Sequence, residues 1–383
     1  MKRQTSKTRR VRVWLLTALL AAAAPAPAAK PPKVQWTKTF AGWGTASGRC
    51  VQQTSDGGYI AVGSTNSRDS AARFAALLVK LDASGVTQWV KTIKADGVRA
   101  ASSVVQTSDG GYIVVGTGRE TYRSPLGAVL VRTDDCGNVL WRSYLGHDRS
   151  AGAASVVGLD DTACTVVVRS SGDSAVILWG IENGGAFRWS HKYPVGYGLQ
   201  AMDEVLSLHR TSDGGYVVGT KTLLKVDSLG AQPSLRTFGS VLSANSVIQT
   251  SDGGYAATGA KLGYSSIYLL KTNANRDSVW MRTYAPSECS RGRWVEQTAD
   301  GGYVTAGTTR PVDGDMVTLV RTLSDGTLDW TVTLFDGDGD CVRQTTDGGY
   351  IVCGRSWSCG PDGAGAGRLF VTKLAPERKS KVK

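Results

Sequence analysis

Five aspartates crowd two short stretches of the chain. Asp313 and Asp315 stand in "PVDGDM", and Asp336, Asp338 and Asp340 stand in "FDGDGDC". Alternating Asp and Gly lets carboxylates converge on a hard cation, so Ca²⁺ is the metal these residues suit. Cys341 occupies the place where the helix–loop–helix calcium motif needs Gly, and a solvated, turn-rich loop explains the same residue types. Three tryptophans sit near these acids in the repeat order: Trp43, Trp294 and Trp357. An exposed indole beside polar groups can stack on a sugar ring, although a loop tryptophan can equally pack on its own sheet. Arg119, Arg149, Arg291 and Arg293 add positive charge to the same region and would suit an acidic ligand.

The catalytic inventory is thin. The three histidines, His147, His191 and His209, fall in separate settings. No H-E-x-x-H, G-x-S-x-G or phosphate-binding loop occurs, and "GAGAG" at Gly363–Gly367 does not meet the dinucleotide fingerprint. Glu296 and Arg343 hold equivalent positions in neighbouring repeats, so an ion pair between them reads as structural. Seven cysteines in an exported chain suggest disulfides with at least one thiol left over. Cys50 and Cys341 could bridge two repeats and Cys353 and Cys359 could bridge locally, while Cys136, in a turn, and Cys164, in place of the motif Tyr, could both be free.

These residues hang on a repeat. The word "TSDGGY" at Thr54–Tyr59 returns in near-identical form, with its aspartate at Asp56, Asp109, Asp213, Asp252, Asp300 and Asp347. Successive gaps are 53, 104, 39, 48 and 47 residues, and the double gap contains "SVVGLDDTACTVVV", which puts Asp161 in register as a seventh, degenerate copy. Each unit reads as four short strands, in the second unit "ASSVVQT", "YIVVGT", "GAVLVRTD" and "NVLWRSYL". Four strands in such a period describe a blade of a β-propeller. The expected fold is therefore an all-β, seven-bladed β-propeller over residues 33–375.

One fourth strand, "VQWTKTF" (Val34–Phe40), precedes every first strand, and the last unit ends on a third strand. Pairing these two pieces would complete a seventh blade and close the ring, which removes the open sheet edges that invite aggregation. "SDGG" is then the hairpin turn between first and second strands. Its Asp bonds backbone N–H groups and its glycines accept positive φ. Tryptophans in the fourth strands are expected to fill space between blades.

The flanks differ from the body. "MKRQTSKTRRVR" followed by "WLLTALLAAAA" and "APA" reads as a signal peptide over residues 1–28, and residues 376–383 form a basic tail. The formal charge is +12, but residues 1–28 carry six basic and no acidic side chains, so most of the basic character lies outside the body and no nucleic-acid partner is expected. No apolar run is long enough for a membrane span.

The units resemble the "QTSDGGYIVAG"-type repeats of secreted bacterial and archaeal proteins, over nearly all of residues 33–375. That resemblance implies a propeller fold and no particular activity. The turn also resembles the first half of the sialidase Asp-box, without the Thr-Trp that should follow. In a propeller, the uniform "SDGG" and "DASG"-like turns share one face, and the irregular second-to-third and blade-to-blade loops share the other. Function concentrates on loops held by a rigid scaffold, so the irregular face is the expected binding surface. The chain is accordingly expected to be an exported, monomeric binding module that engages a glycan or a protein there. A secreted carbohydrate-active enzyme using carboxylates on that face, or a structural envelope protein, are the alternatives.

Overall fold

The computed structural model describes residues 29–41, 44–66, 74–93, 97–121, 123–145, 155–160, 163–170, 175–182, 184–194, 207–220, 222–237, 242–261, 266–285, 290–311, 314–357 and 367–377. All regular structure among them is β, in seven antiparallel four-stranded blades. Blade one is Ala46–Gln53, Tyr59–Asn66, Phe74–Leu81 and Thr87–Ile93, and blade two is Ala100–Gln106, Tyr112–Gly118, Gly127–Thr133 and Val139–Leu145. Blade three is Ser155–Asp160, Ala163–Ser170, Ala175–Glu182 and Phe187–Pro194, and the shorter blade four is Leu208–Arg210, Tyr216–Gly219, Thr222–Val226 and Ser234–Thr237. Blade five is Leu242–Gln249, Tyr255–Lys261, Ile267–Thr272 and Ser278–Tyr284. Blade six begins with Arg291–Gln297, Tyr303–Thr309 and Met316–Thr322.

The strand Leu328–Gln344 then serves twice. Its first part pairs with Met316–Thr322 as the outer strand of blade six, and its second part pairs with Tyr350–Ser356 as the inner strand of blade seven. Blade seven is completed by Arg368–Leu374 and, beyond it, by Val34–Phe40, which runs antiparallel with Val34 opposite Leu374 and Phe40 opposite Leu369. First strands of successive blades contact one another all the way round, blade seven meeting blade one through Leu328–Gln344 and Ala46–Gln53. The ring is closed as the repeat arithmetic requires. No helix among the described residues is long and apolar enough to cross a membrane.

Each residue of the repeated word has a job. In blade one, Asp56 Oδ1 accepts from Thr54 Oγ1 at 2.5 Å and from the Gly58 N–H at 3.0 Å, while Oδ2 accepts from Lys80 Nζ at 2.8 Å. The first glycine, Gly57, has φ +80°, a conformation that costs an L-residue ~1 kcal/mol or more. The second lies over Lys80, whose Nζ would be 2.7 Å from any Cβ at Gly58. The same Asp pairs recur as Asp109 with Arg132, Asp213 with Lys225, Asp252 with Lys271, Asp300 with Arg321 and Asp347 with Lys373. Blade three has Gly180 opposite Thr165, where the other blades carry this cation. That is the physical sense in which its repeat is degenerate.

Blades join through two further devices. The fourth-strand tryptophan of one blade packs edge-on to the motif tyrosine of the next: Trp36 on Tyr59, Trp89 on Tyr112, Trp280 on Tyr303 and Trp330 on Tyr350, with ring centroids 5.7–6.0 Å apart. Such a pair adds ~1 kcal/mol beyond its buried area. In five blades the glutamine three residues before the motif Asp reaches the other way. Gln106 Oε1 accepts the Ser55 N–H of blade one at 2.8 Å, and Gln53 does the same for Thr346 of blade seven at 2.9 Å across the closure.

Two outcomes are expected. A chain beginning at Gly44 loses the closing strand and with it the burial of Trp36 and Phe40, about 3 kcal/mol from those side chains alone. Calorimetry should show a melting temperature lower by ~10 °C, and light scattering should show association through the bared edge of Arg368–Leu374. The second concerns acid. Partial burial alone would raise the carboxyls of Asp56, Asp213 and Asp252, but donation from their Lys, Thr and Gly partners outweighs it and leaves each at about 2. A carboxyl held below its unfolded value stabilises the fold above about pH 4, and that contribution drains away as pH falls toward 2. The melting temperature should drop through that window, and a D56N/D213N/D252N variant, less stable at pH 7, should show a shallower drop.

Candidate functional site

The first strands line the central channel, and their register sorts the candidate residues by depth. Five of these strands carry a β-bulge at one common place, between Gly48 and Cys50, Ala101 and Ser103, Ala244 and Ser246, Gly292 and Trp294, and Gly339 and Cys341. The bulged residues are Arg49, Ser102, Asn245, Arg293 and Asp340. Toward the irregular loops the wall is charged, and toward the "SDGG" turns it is mostly amide, hydroxyl and imidazole.

The acidic cluster does not assemble as a metal centre. Asp315 is paired with Arg310 at 2.8 Å, and the Asp336 side chain is exposed. Asp338 accepts from Thr308 Oγ1 at 2.8 Å and faces Arg291 at 3.5 Å and Arg293 at 3.7 Å. Asp340 is 4% exposed and lies 3.3 Å from Arg293 and 3.6 Å from Arg49. Arg293, Asp340 and Arg49 are the equivalent bulge residues of blades six, seven and one, so the chain of charges crosses two blade interfaces. Asp313 lies outside the described residues. Among those described, no group of three or more His, Cys, Asp or Glu could hold a metal. Sequence spacing brought the acids near one another. It could not show that each would find an arginine first.

Burial by itself would raise both carboxyls. The nearby Arg293 and Arg291 with Thr308 overcome it at Asp338, which is held below the usual range, whereas full burial wins at Asp340, which is raised. Two neighbouring carboxylates pushed in opposite directions are what an acid–base enzyme would use. Here the raised one sits inside the wall between two guanidinium groups.

The tryptophans part company. Trp294 lies in the first strand of blade six, as its place in the repeat indicates, but it is buried, 6% exposed, with the Arg343 guanidinium 4.5 Å from its ring centroid. Trp357 does lie on the irregular face, where its backbone N–H donates to Asp336 O at 3.1 Å and the Arg355 guanidinium stacks 3.7 Å from its ring. Trp43 and Arg149 lie outside the described residues. Arg293 is 5% exposed and committed to Asp338 and Asp340, so it holds blades together and does not present itself to a ligand. Arg119 is half-buried beside the blade-one-to-two connection, where its N–H bonds Gly97 O at 3.1 Å. Near Trp357, Arg49 and Arg291 keep 36% and 26% of their side chains exposed.

Cys50, Cys341 and Cys353 meet at the closure as buried free thiols, Cys341 lying directly opposite Cys353 and its Sγ 3.7 Å from Val51 O. The expected partners Cys50 and Cys341 are thus brought together unbonded, while Cys359 lies outside the described residues. Cys136 and Cys164 are free.

Toward the turn face the channel widens into a cavity of ≈ 530 Å³ lined by residues of six blades, among them Gln52, His209, Arg210, Trp294 and Arg343. The expected ion pair is present, Arg343 Nη1 lying 3.0 Å from Glu296 Oε2. Burial, and then the positive charge of Arg343, push His209 down to about 4, so it is a neutral imidazole at pH 7. Loop irregularity carries no sign of this cavity, which is lined by inner strands. The available signal was where the repeat word breaks: Gly158 and Arg210 stand where the other five copies have Gln.

No protein-family model matches the sequence, and no curated protein matches it. Solved structures do. YCF48 from Cyanidioschyzon merolae is 15% identical with a TM-score of 0.51, and the match covers 90% of this chain and 99% of that one. YCF48 bound to D1 peptide is 10% identical with a TM-score of 0.53 over the same shares. The C-terminal WD40 domain of Sif2 is 12% identical with a TM-score of 0.48, over 85% of this chain and 81% of that one. At such identities the likeness is one of fold.

His209 provides a direct check on the cavity. Its NMR titration should have a midpoint near pH 4. Between about pH 6.5 and 4 the unfolded chain takes a proton that the fold refuses, so His209 makes the fold less stable as pH falls through that range. H209Q should remove that part of the pH dependence, and an unshifted midpoint would show that the imidazole is in open water.

Proposed function

We propose that this chain is an exported, non-catalytic interaction module whose irregular face holds an acidic segment of a partner protein. The observation that carries this reading is the Arg355–Trp357 stack on that face, with the partly exposed Arg49 and Arg291 beside it. A guanidinium packed on an indole is an oriented donor surface, and stacked Arg and Trp are the residue types that dominate binding energy at interfaces. Four arginines, Arg49, Arg291, Arg293 and Arg355, surround two paired carboxylates, Asp338 and Asp340, so the mouth of the channel keeps an excess of positive charge for a partner's carboxylates. The rigid ring beneath costs little ordering on binding. A structure of similar fold has been described with a peptide bound, which supports this reading over one centred on sugar. Export rests on the leader-like residues 1–28.

The test is peptide display against the folded chain lacking residues 1–28, run beside an R355A/W357A variant and a glycan array. Enrichment of acidic peptides that bind the parent at least ten-fold more tightly than the variant supports the proposal, and that affinity should fall with added salt. Failure to enrich peptides, equal binding by the variant, or binding of glycans alone would overturn it.

A further inference from the structure

The channel cavity near the turn face is built differently from the scaffold around it. Elsewhere the inner strands repeat one pattern: a small residue, as where the Ser207 or Ser246 hydroxyl accepts the Val247 or Val295 N–H of the next blade, and a glutamine that latches the turn of the preceding blade. At the cavity this pattern fails in several places. Gly158 replaces the glutamine of blade three, and a Cβ there would find only Val105 within 4 Å, at 3.8 Å. Arg210 replaces it in blade four and is exposed. Trp294 replaces the small hydroxyl of blade six.

The polar groups left over are all donors of one kind. Trp294 Nε1 and Arg343 Nε are buried N–H groups with no hydrogen-bond partner, and both residues line the cavity together with Arg210, Gln52, Ser103 and Ser155. A buried donor left unmade costs ~1–3 kcal/mol, so two of them on one cavity call for an acceptor that enters it. Two guanidinium groups, Arg210 and Arg343, line the cavity; Arg343 Nη1 is held by Glu296 at 3.0 Å, which leaves its Nε as the group turned to no partner, and among the described lining residues there is no carboxylate.

From these features we infer that the cavity is a binding site for a small organic acid, whose carboxylate accepts hydrogen bonds from Trp294 and Arg343 and is drawn in by Arg210. The volume admits a ligand of the size of a sugar acid or a short dicarboxylic acid. Gln52 and the hydroxyls of Ser103 and Ser155 serve the ligand's remaining polar atoms. His209, neutral and able both to donate and to accept, suits a ligand hydroxyl. The site is separate from the Arg355–Trp357 surface.

Calorimetric titration of the folded chain with succinate, glucuronate, inorganic phosphate and glucose, at low salt, tests the assignment. Saturable binding of succinate or glucuronate at one site is expected, with no binding of glucose and weaker binding of phosphate. W294F, which removes only the indole N–H donor and a little volume, and R210Q should each weaken that binding at least ten-fold. W357A should leave it unchanged, which separates this site from the surface proposed for a protein partner. Should W294F fail to fold, R210Q and Q52L carry the test. Absence of saturable binding by either acid would overturn the assignment and leave ordered water as the occupant. So would equal binding of glucose, tighter binding of phosphate than of both acids, or binding indifferent to R210Q and W294F.

Discussion

A buried cation reaching a half-exposed carboxylate is the contact on which six of the seven blades depend. Lys373 is 2% exposed and Arg321 1%, and each ends on the aspartate of its own turn. Burying such a charge without a partner is prohibitive, and removing the aspartate alone would strand it. The pairing therefore dictates much of the surrounding sequence. The turn must place Asp over the third strand, the second glycine must stay bare to let the cation through, and the preceding threonine must donate to the other oxygen of the same carboxylate. Tyr then begins the second strand at the height where the neighbouring blade's tryptophan arrives. A motif that looks like a ligand loop is, residue by residue, a fastening.

How much of this could be read in advance follows from which contacts are local. The turn, the four-strand unit and the count of seven all lie within one period, so spacing and residue type disclose them. Closure by Val34–Phe40 was legible because an orphan outer strand at one end matched a missing one at the other. The Glu296–Arg343 pair was legible because register places both on adjacent inner strands. The Asp partner on the third strand and the glutamine latch were present as plain columns in the repeats, Lys or Arg in six units and Gln in five. They went unread because their partners lie in another strand or another blade. The site was harder still. Whether Asp338 and Asp340 meet a metal or an arginine is decided by side chains arriving from blades six and one, and no spacing within blade seven contains that information.

The two ends of the channel express a division of labour in the repeat. Where the word is faithful, its aspartate, threonine, cation and glutamine are spent on one another and on the neighbouring turn. Where it lapses, at Gly158, Arg210 and Trp294, space opens, and Trp294 Nε1 and Arg343 Nε on that space have no partner. In a protein made of copies, departures from the copy mark the places released from holding the ring together. The charged wall at the other end illustrates the opposite case: Arg293, Asp340 and Arg49 are also departures, yet they bond to one another and tie three blades into a rigid rim.

The seam of blade seven carries a consequence for biogenesis. Val34–Phe40 leaves the ribosome or an export channel before any of its sheet, and its partner Arg368–Leu374 comes at the far end of the chain. The six complete blades can assemble as they emerge, but this strand must wait, unpaired and with Trp36 uncovered, until Arg368–Leu374 has been made. The last step of folding therefore joins the oldest segment to the youngest, and a nascent chain caught in that interval is the form for which a chaperone or a protease would compete.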